Sequence, residues 1–379
     1  MNRVFADFNA TSPLSAGAQT GMTKAIELWG NPSSSHWDGR QASEIISKSR
    51  DLVAQKAGVS PLEVVFTSGG SEANTLALMG TYFLGPSRLR LLTSAVEHSS
   101  IRDTARLLEN LGVPVDYLPV QKNGVFSLET FKQHVDEFRP TLVSIMAANN
   151  ETGVIFPIRE ISRFCRERGI TIHTDAVQSF GKLDSESWND CDLISITAHK
   201  IGGPKGIGAL LVRRGTQLVA THYGGTQEIK RRGGTENTLG ILGFGGACTD
   251  FPNQQDRMRI RELRDYFEKQ LLETLSEVTL NGADVERIPN TTSIRFSGIP
   301  SEVLLGALDL EGVSVSAGSA CSSGSLAPSH VLLAMGLSRT EAKECLRISW
   351  GKTTSRDDVD RVLEVVIRHV NRIRERRRQ

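Results

Sequence analysis

At 379 residues, with 39% hydrophobic and 23% charged side chains, the chain has the composition of a globular protein, not a disordered one. Its 44 basic and 43 acidic residues leave a formal net charge of +1, so no global field points to nucleic acid or an anionic membrane. No run approaches ~18 consecutive apolar residues, which excludes a predicted membrane-spanning helix, and the N-terminal Met1-Asn2-Arg3-Val4-Phe5-Ala6-Asp7 lacks a signal-peptide core.

The predicted elements follow in chain order. Residues 1–15 are expected to be extended, with Asp7 to Pro13 turn-rich. Gly30 to His36 reads as a long polar loop, more often functional than idle in a compact domain, and a helix opens near Gly39 and runs to about Ala57. Glu63 to Thr67 is a short apolar strand that enters Ser68-Gly69-Gly70-Ser71-Glu72-Ala73-Asn74 and then a helix. A strand, a Gly/Ser turn and a helix leave free backbone N–H groups and a positive dipole end, a ready phosphate site. The plainer alternative is a well-capped helix, with Ser71 and Glu72 serving its first turn.

Arg90 to Thr93 is a further strand, ending in a loop that carries Glu97 and His98, with helix expected over 101–111. Leu142 to Ala147 leads to Asn149-Asn150-Glu151-Thr152-Gly153, and Ile161 to Arg168 is helical. Thr171 to Thr174 leads to Asp175-Ala176-Val177-Gln178. Leu193 to Ile196 delivers Thr197-Ala198-His199-Lys200 before a glycine-rich turn and the strand Ala209 to Val212. A lysine at the end of a buried strand is well placed for Schiff-base chemistry, because desolvation frees its amine as a nucleophile; an ordinary lysine on a surface loop is the alternative.

At least five strands thus end in polar residues and alternate with helices, the pattern of an α/β domain with a mainly parallel sheet. In such sheets ligands sit beyond the carboxyl ends of the strands. After Val212 comes a glycine-rich cationic stretch, His222 to Asn237. Helical periodicity resumes at Met258 and Ile260, and Val359, Val362, Val366 and Val370 mark one face of a last helix. Short strands are expected at Ser293 to Phe296, Val313 to Ser316 and Leu346 to Trp350, and the N-terminus could pair with this unit. The expected division is a large domain over 16–250 and a smaller α+β domain over 1–15 and 251–379. The basic run Arg372 to Arg378 is expected to be a solvated, frayed terminus.

Taken together, Lys200, Asp175, His98 and the Gly70-Ser71 helix start supply an imine lysine, a pyridinium partner, a stacking ring and a phosphate site, the parts needed for pyridoxal 5'-phosphate. Here the chain resembles the cysteine desulfurases of the class V aminotransferase group, in the NifS- and IscS-like branch. The resemblance covers nearly the whole chain and rests on Asn31-Pro32-Ser33-Ser34 with Gly39-Arg40, Thr67 to Asn74, Glu97-His98, Asn149 to Gly153, Asp175 to Gln178, His199-Lys200 and Gly234-Thr235-Glu236-Asn237.

The resemblance implies a fold-type I, pyridoxal-phosphate-dependent transferase with a mainly parallel, seven-stranded-type sheet. It implies that Lys200 bonds the cofactor and shuttles a proton, that Asp175 pairs with the pyridine nitrogen and Gln178 with the ring hydroxyl oxygen. It also implies that His98 stacks on the ring and takes part in acid/base steps, and that Gly70, Ser71, Thr197 and His199 hold the phosphate. Thr235 would reach the phosphate of a partner subunit, implying a homodimer, and Asn150 and Arg347 would bind the substrate carboxylate. The family often has threonine at the Ser71 position and serine at the Thr197 position; each keeps a hydroxyl. Scaffold-docking members carry a longer tail after the last helix, which weighs against docking by that route.

The reaction is decided by Ser316 to Ser325, a loop of small residues around one thiol, Cys321. A mobile thiolate suits sulfur abstraction from L-cysteine, giving alanine and a persulfide. The acceptor would be an iron–sulfur scaffold or a tRNA-thiolation protein. Cys165, Cys191, Cys248 and Cys345 lack such a context and read as packing, no metal site is expected, and a reducing cytoplasm is the expected location. The alternatives are a selenocysteine lyase or other aminotransferase-type relative and, from another class, a non-catalytic sulfur-transfer scaffold.

Overall fold

The computed structural model describes residues 3–318 and 327–378. Its first strand, β1 (Val4–Phe5), is short and joins the C-terminal part of the chain. Then β2 (Val64–Thr67), β3 (Leu91–Ser94), β4 (Val115–Leu118), β5 (Leu142–Ser144), β6 (Thr171–Asp175), β7 (Leu193–Thr197) and β8 (Gly208–Val212) form a seven-stranded sheet. Its order is β2-β8-β7-β6-β5-β3-β4. Only β8 runs against its neighbours, β2 and β7; the other pairings are parallel. Strands β2, β3, β5, β7 and β8 are buried along their whole length, so they read as continuous apolar runs without alternation. The carboxyl ends of β2, β3, β5, β6 and β7 carry the polar clusters to one edge, as expected.

The second layer of structure is an antiparallel sheet of β12 (Cys345–Ser349), β10 (Thr291–Phe296) and β9 (Val278–Leu280). Alongside it β11 (Val313–Ser314) pairs in parallel with β1. Val4, Phe267, Ile294, Leu304, Ile348 and Trp350 share a core here with Val359, Val362, Val366 and Val370 of the helix Arg356–Arg378. Burying each such side chain contributes roughly 1.5–3 kcal/mol. The helix extends through Arg372 to Arg378, so the basic run is not frayed: Arg374 donates to the carbonyls of Ser276 at 2.7 Å and Glu277 at 3.1 Å.

Two helices without an amphipathic signature were not expected: Ala16–Ile26 and Thr238–Thr249. They cross at glycines. A Cβ on Gly17 would lie 2.3 Å from the Gly246 carbonyl oxygen, and one on Gly246 would lie 2.1 Å from that of Gly17. The glycines therefore serve close backbone approach, not flexibility. The helix Leu128–Phe138 and strand β4 likewise lay outside the predicted elements.

Candidate active site

Five strand ends and one distant strand meet at a cavity of about 180 Å³. It brings together Gly70 and Ser71 after β2, His98 after β3, Asn150 after β5, Asp175 at the end of β6 with Gln178 beyond it, Thr197 at the end of β7 with His199 and Lys200 beyond it, and Arg347 from β12. Ten of the twelve sequence-predicted residues thus line one space. Thr235 does not: it is exposed and faces a separate hollow lined by Phe66, Ser68 and Gly206. Cys321 lies outside the described residues.

Lys200 ends a single 3₁₀ turn, Ala198–Lys200, directly after β7. Its Nζ donates to the carbonyl of Ala10 at 2.8 Å and to that of Asn9. Asn9 is 1% exposed and touches both sides of the cavity: its amide Nδ2 donates to Asn150 O at 3.1 Å and to Thr291 Oγ1 at 2.8 Å, and its backbone N–H donates to Ser349 Oγ at 2.9 Å.

The helix Gly70–Tyr82 starts where β2 ends, with its N-terminus at the cavity. No side chain caps it; Glu72 instead accepts the Ser68 N–H at 2.7 Å and pairs with Arg232 at 3.0 Å. Ser71 is exposed, so the first-turn role stays with Glu72 and the hydroxyl faces an adjoining hollow shared with Thr197, His199 and Lys205. A Cβ on Gly70 would sit 2.7 Å from Val177 Cγ2, so glycine keeps the helix start open against the segment after Asp175. Thr197 Oγ1 donates to Ile207 O at 3.2 Å, and its hydrogen must turn to serve an anion.

Asp175 is buried at the end of β6, accepting the Val177 N–H at 2.9 Å and Asn74 Nδ2 at 2.7 Å. Asn74 also donates to Ser100 Oγ at 2.8 Å, which lies 2.9 Å from His98 Nδ1. The Ser100 backbone N–H points at the same ring nitrogen at 3.2 Å. A backbone N–H can only donate, so Nδ1 is the acceptor and a neutral His98 carries its proton on Nε2. His199, beside Thr11 Oγ1 at 3.2 Å, is drawn down to about 4 by burial and by the Lys200, Lys205 and Lys182 charges, and so is neutral at pH 7.

Arg347 is 2% exposed. It donates to Asp7 Oδ1 at 2.7 Å and to Asn150 O at 3.0 Å, and its Nε has no partner among the described residues. The guanidinium is thus neutralised on one side and keeps a buried donor to offer.

Four residues here receive no role from the sequence reading. Asp7 and Asn9 lie in the turn-rich segment, with no local signal of their distant partners. Lys182 donates to Gln178 Oε1 at 2.6 Å and Asn9 Oδ1 at 3.0 Å. Glu97, next to His98, is buried; it accepts Ser94 Oγ at 2.6 Å and the Met146 N–H at 3.0 Å, yet burial, helped by the Asp175 charge, lifts it to about 8. The remaining described cysteines, Cys165, Cys191, Cys248 and Cys345, are buried free thiols. Among the described residues no cluster suits a metal ion and no helix is long and apolar enough to cross a membrane.

The aminotransferase class-V family model matches residues 4–362. The cysteine desulfurase IscS of Dictyoglomus turgidum is 40% identical over 376 residues, covering 98% of this chain and 95% of that protein. Among solved structures, a NifS-like protein superposes with a TM-score of 0.90 at 32% identity, over 98% of this chain and 100% of its own. A structure described as SspA in complex with cysteine gives a TM-score of 0.82 at 33% identity, over 93% of this chain and 100% of its own. The sheet order, the strand-end cavity and these full-length likenesses agree: the chain belongs to the class-V aminotransferase family, whose members generally depend on pyridoxal phosphate.

Proposed function

We propose that the chain is a pyridoxal-phosphate-dependent cysteine desulfurase that takes sulfur from L-cysteine and leaves L-alanine. The observation that carries the reading is the convergence of Lys200, Asp175, His98 and Arg347 on one cavity that opens at a helix N-terminus. The names of its relatives support the choice of substrate.

The residues present fit the cofactor. An uncapped helix start with an adjacent hydroxyl suits a phosphate, a buried carboxylate lining the same cavity suits a protonated ring nitrogen, and a lysine amine lies there too. Gly70, Ser71, Thr197 and His199 would hold the phosphate, Asp175 the ring nitrogen, Gln178 the ring oxygen, and His98 the ring face. When bound, the cofactor supplies a carbonyl that captures the substrate amine and a ring that takes up an electron pair.

The chain's own residues do the rest. Arg347 and Asn150 hold the substrate carboxylate, and Lys200 removes the Cα proton. His98, protonated on Nε2, passes a proton on. Cys321, as thiolate, attacks the substrate sulfur: an S–S bond forms, the C–S bond breaks with its electron pair left on the carbon side, and protonation there gives alanine. The persulfide on Cys321 then serves a sulfur acceptor, an iron–sulfur scaffold or a tRNA-thiolation protein.

The active species would be a homodimer in the cytoplasm, with the partner subunit's Thr235 completing the phosphate site. Thr235 is exposed and away from its own chain's cavity, and Ile26, Trp29, Trp37 and Tyr223 are large apolar side chains left open to solvent. Free buried thiols agree with a reducing compartment.

The test is a sulfide and alanine assay with L-cysteine on wild type, Lys200→Ala and Cys321→Ala. Neither variant should release sulfide, while Cys321→Ala should keep a substrate-induced spectral change. Persulfide formation by Cys321→Ala at the wild-type rate would overturn the loop assignment.

A further inference from the structure

Lys182 is a second lysine at the site, and no role has yet been given to it. Its residue is only partly buried, because the stem lines a neighbouring cavity of about 410 Å³, but its amine turns inward. There it meets two neutral amide oxygens, Gln178 Oε1 at 2.6 Å and Asn9 Oδ1 at 3.0 Å, and among the described residues it forms no ion pair. A lysine tip withdrawn from water without a carboxylate is costly, so its position calls for a reason. Burial, then the Lys200 and Arg347 charges, draws its amine well below the ordinary lysine range. Charged or neutral, the amine still has N–H groups to donate.

The consequence follows from donor chemistry. Facing the N–H groups of Lys182, both amides present oxygen. The NH₂ of Gln178 is then forced to the opposite side, where it donates to Asn9 O at 2.9 Å and borders the cavity. The NH₂ of Asn9 is likewise forced toward Asn150 O and Thr291 Oγ1. The same Asn9 carbonyl receives Lys200 Nζ. The amine thus helps fix which way two amides point; Asn9 Oδ1 also accepts from Asn290 Nδ2 at 3.0 Å, whereas Lys182 is the side-chain donor to Gln178 Oε1 among the described residues.

We infer that Lys182 is a positioning residue that keeps Gln178 oriented as a hydrogen-bond donor into the cavity, toward the phenolic ring oxygen of the cofactor. This rests on the cofactor reading above. Without Lys182, the Gln178 amide loses the donor that holds its oxygen and is oriented by the Asn9 carbonyl alone.

A double-mutant cycle tests it on the pyridoxal-phosphate-loaded protein, with the visible absorption maximum and kcat/KM as readouts. Lys182→Met is close in shape and leaves no buried charge. It should shift the absorption maximum and lower kcat/KM by about tenfold, as should Gln178→Ala, the scale expected for one hydrogen bond to a charged group. The double variant should be no worse than the poorer single one, because both act through one contact. Lys182→Gln, which keeps N–H donors, should fall between wild type and Lys182→Met. Losses that multiply in the double variant, or an unmoved absorption maximum in Lys182→Met, overturn the inference alone. A wild-type protein that acquires no visible band on loading overturns the cofactor reading and this inference with it.

Discussion

One wall of the cavity is made of strand ends; the other is made of segments brought together from far apart in the chain. On the first, Ser71, His98 and Lys200 follow the strands that deliver them and Asp175 ends its own, and β2, β3 and β7 beneath are buried whatever those side chains are. On the second, Asp7 and Arg347 are 340 residues apart in sequence and meet at 2.7 Å, with Asn9 bonded to both the small sheet and Lys200. The first wall separates chemistry from folding. The second makes the same residues serve both, since its side chains are the bonds between the two sheets. Substitutions on the first wall should therefore alter activity with little change in stability, and those on the second should alter both.

The sharpest separation is expected at Lys200. Lys200→Ala should lower alanine production by roughly four orders of magnitude or more, the scale of losing a central catalytic group, while its melting temperature stays close to wild type. A large drop in melting temperature would erase the distinction between the walls.

Arg347→Leu is the counterpart on the second wall. It leaves Asp7 facing a buried site without its partner, so stability should fall by about 3–5 kcal/mol in denaturant titration. KM for L-cysteine should rise as well, through the lost carboxylate contact. A change in KM with unaltered stability would move Arg347 to the first class.

Glu97 sharpens the comparison through pH. Its carboxyl is raised to about 8 when folded against an ordinary value near 4.5, so the folded protein keeps the proton that the unfolded chain releases. Stability from this group is full below about pH 4.5 and is lost as pH rises toward 8, by up to roughly 4 kcal/mol. Glu97→Gln should remove that slope, so its melting temperature should gain on wild type steadily from pH 5 to 8. Parallel curves would contradict the protonated carboxyl. The smallest effect belongs to Ser71→Ala: an exposed hydroxyl at the helix start should contribute only about 1 kcal/mol to holding the phosphate, seen as a several-fold weaker cofactor titration with no change in melting.

The same contrast explains what the sequence can convey. Asp175 and Lys200 are legible because an apolar run predicts a strand and the polar residue just after it must lie at the sheet edge. The class of fold follows from the same alternation. Asn9 is not legible: it stands in a turn-rich stretch, and its importance comes from Thr291, Ser349 and Lys200, none of them near it in sequence. Lys182 is hidden for a related reason: nothing beside it in sequence marks it, and only the fold turns its amine inward. The helices Ala16–Ile26 and Thr238–Thr249 are obscured by their glycines, which signal turns locally but serve close packing. Strand β4 escapes because Asp116 and Tyr117 make it a half-buried edge strand without a clear apolar run.

Two lysines reach the same carbonyl-lined corner, Lys200 on Asn9 O and Lys182 on Asn9 Oδ1, and the account gives the covalent role to only one of them. Borohydride reduction of the pyridoxal-phosphate-loaded protein, followed by proteolysis and mass mapping, decides between them. The account predicts the pyridoxyl mass on the peptide carrying Lys200; the label on Lys182, or on no lysine at all, would contradict it.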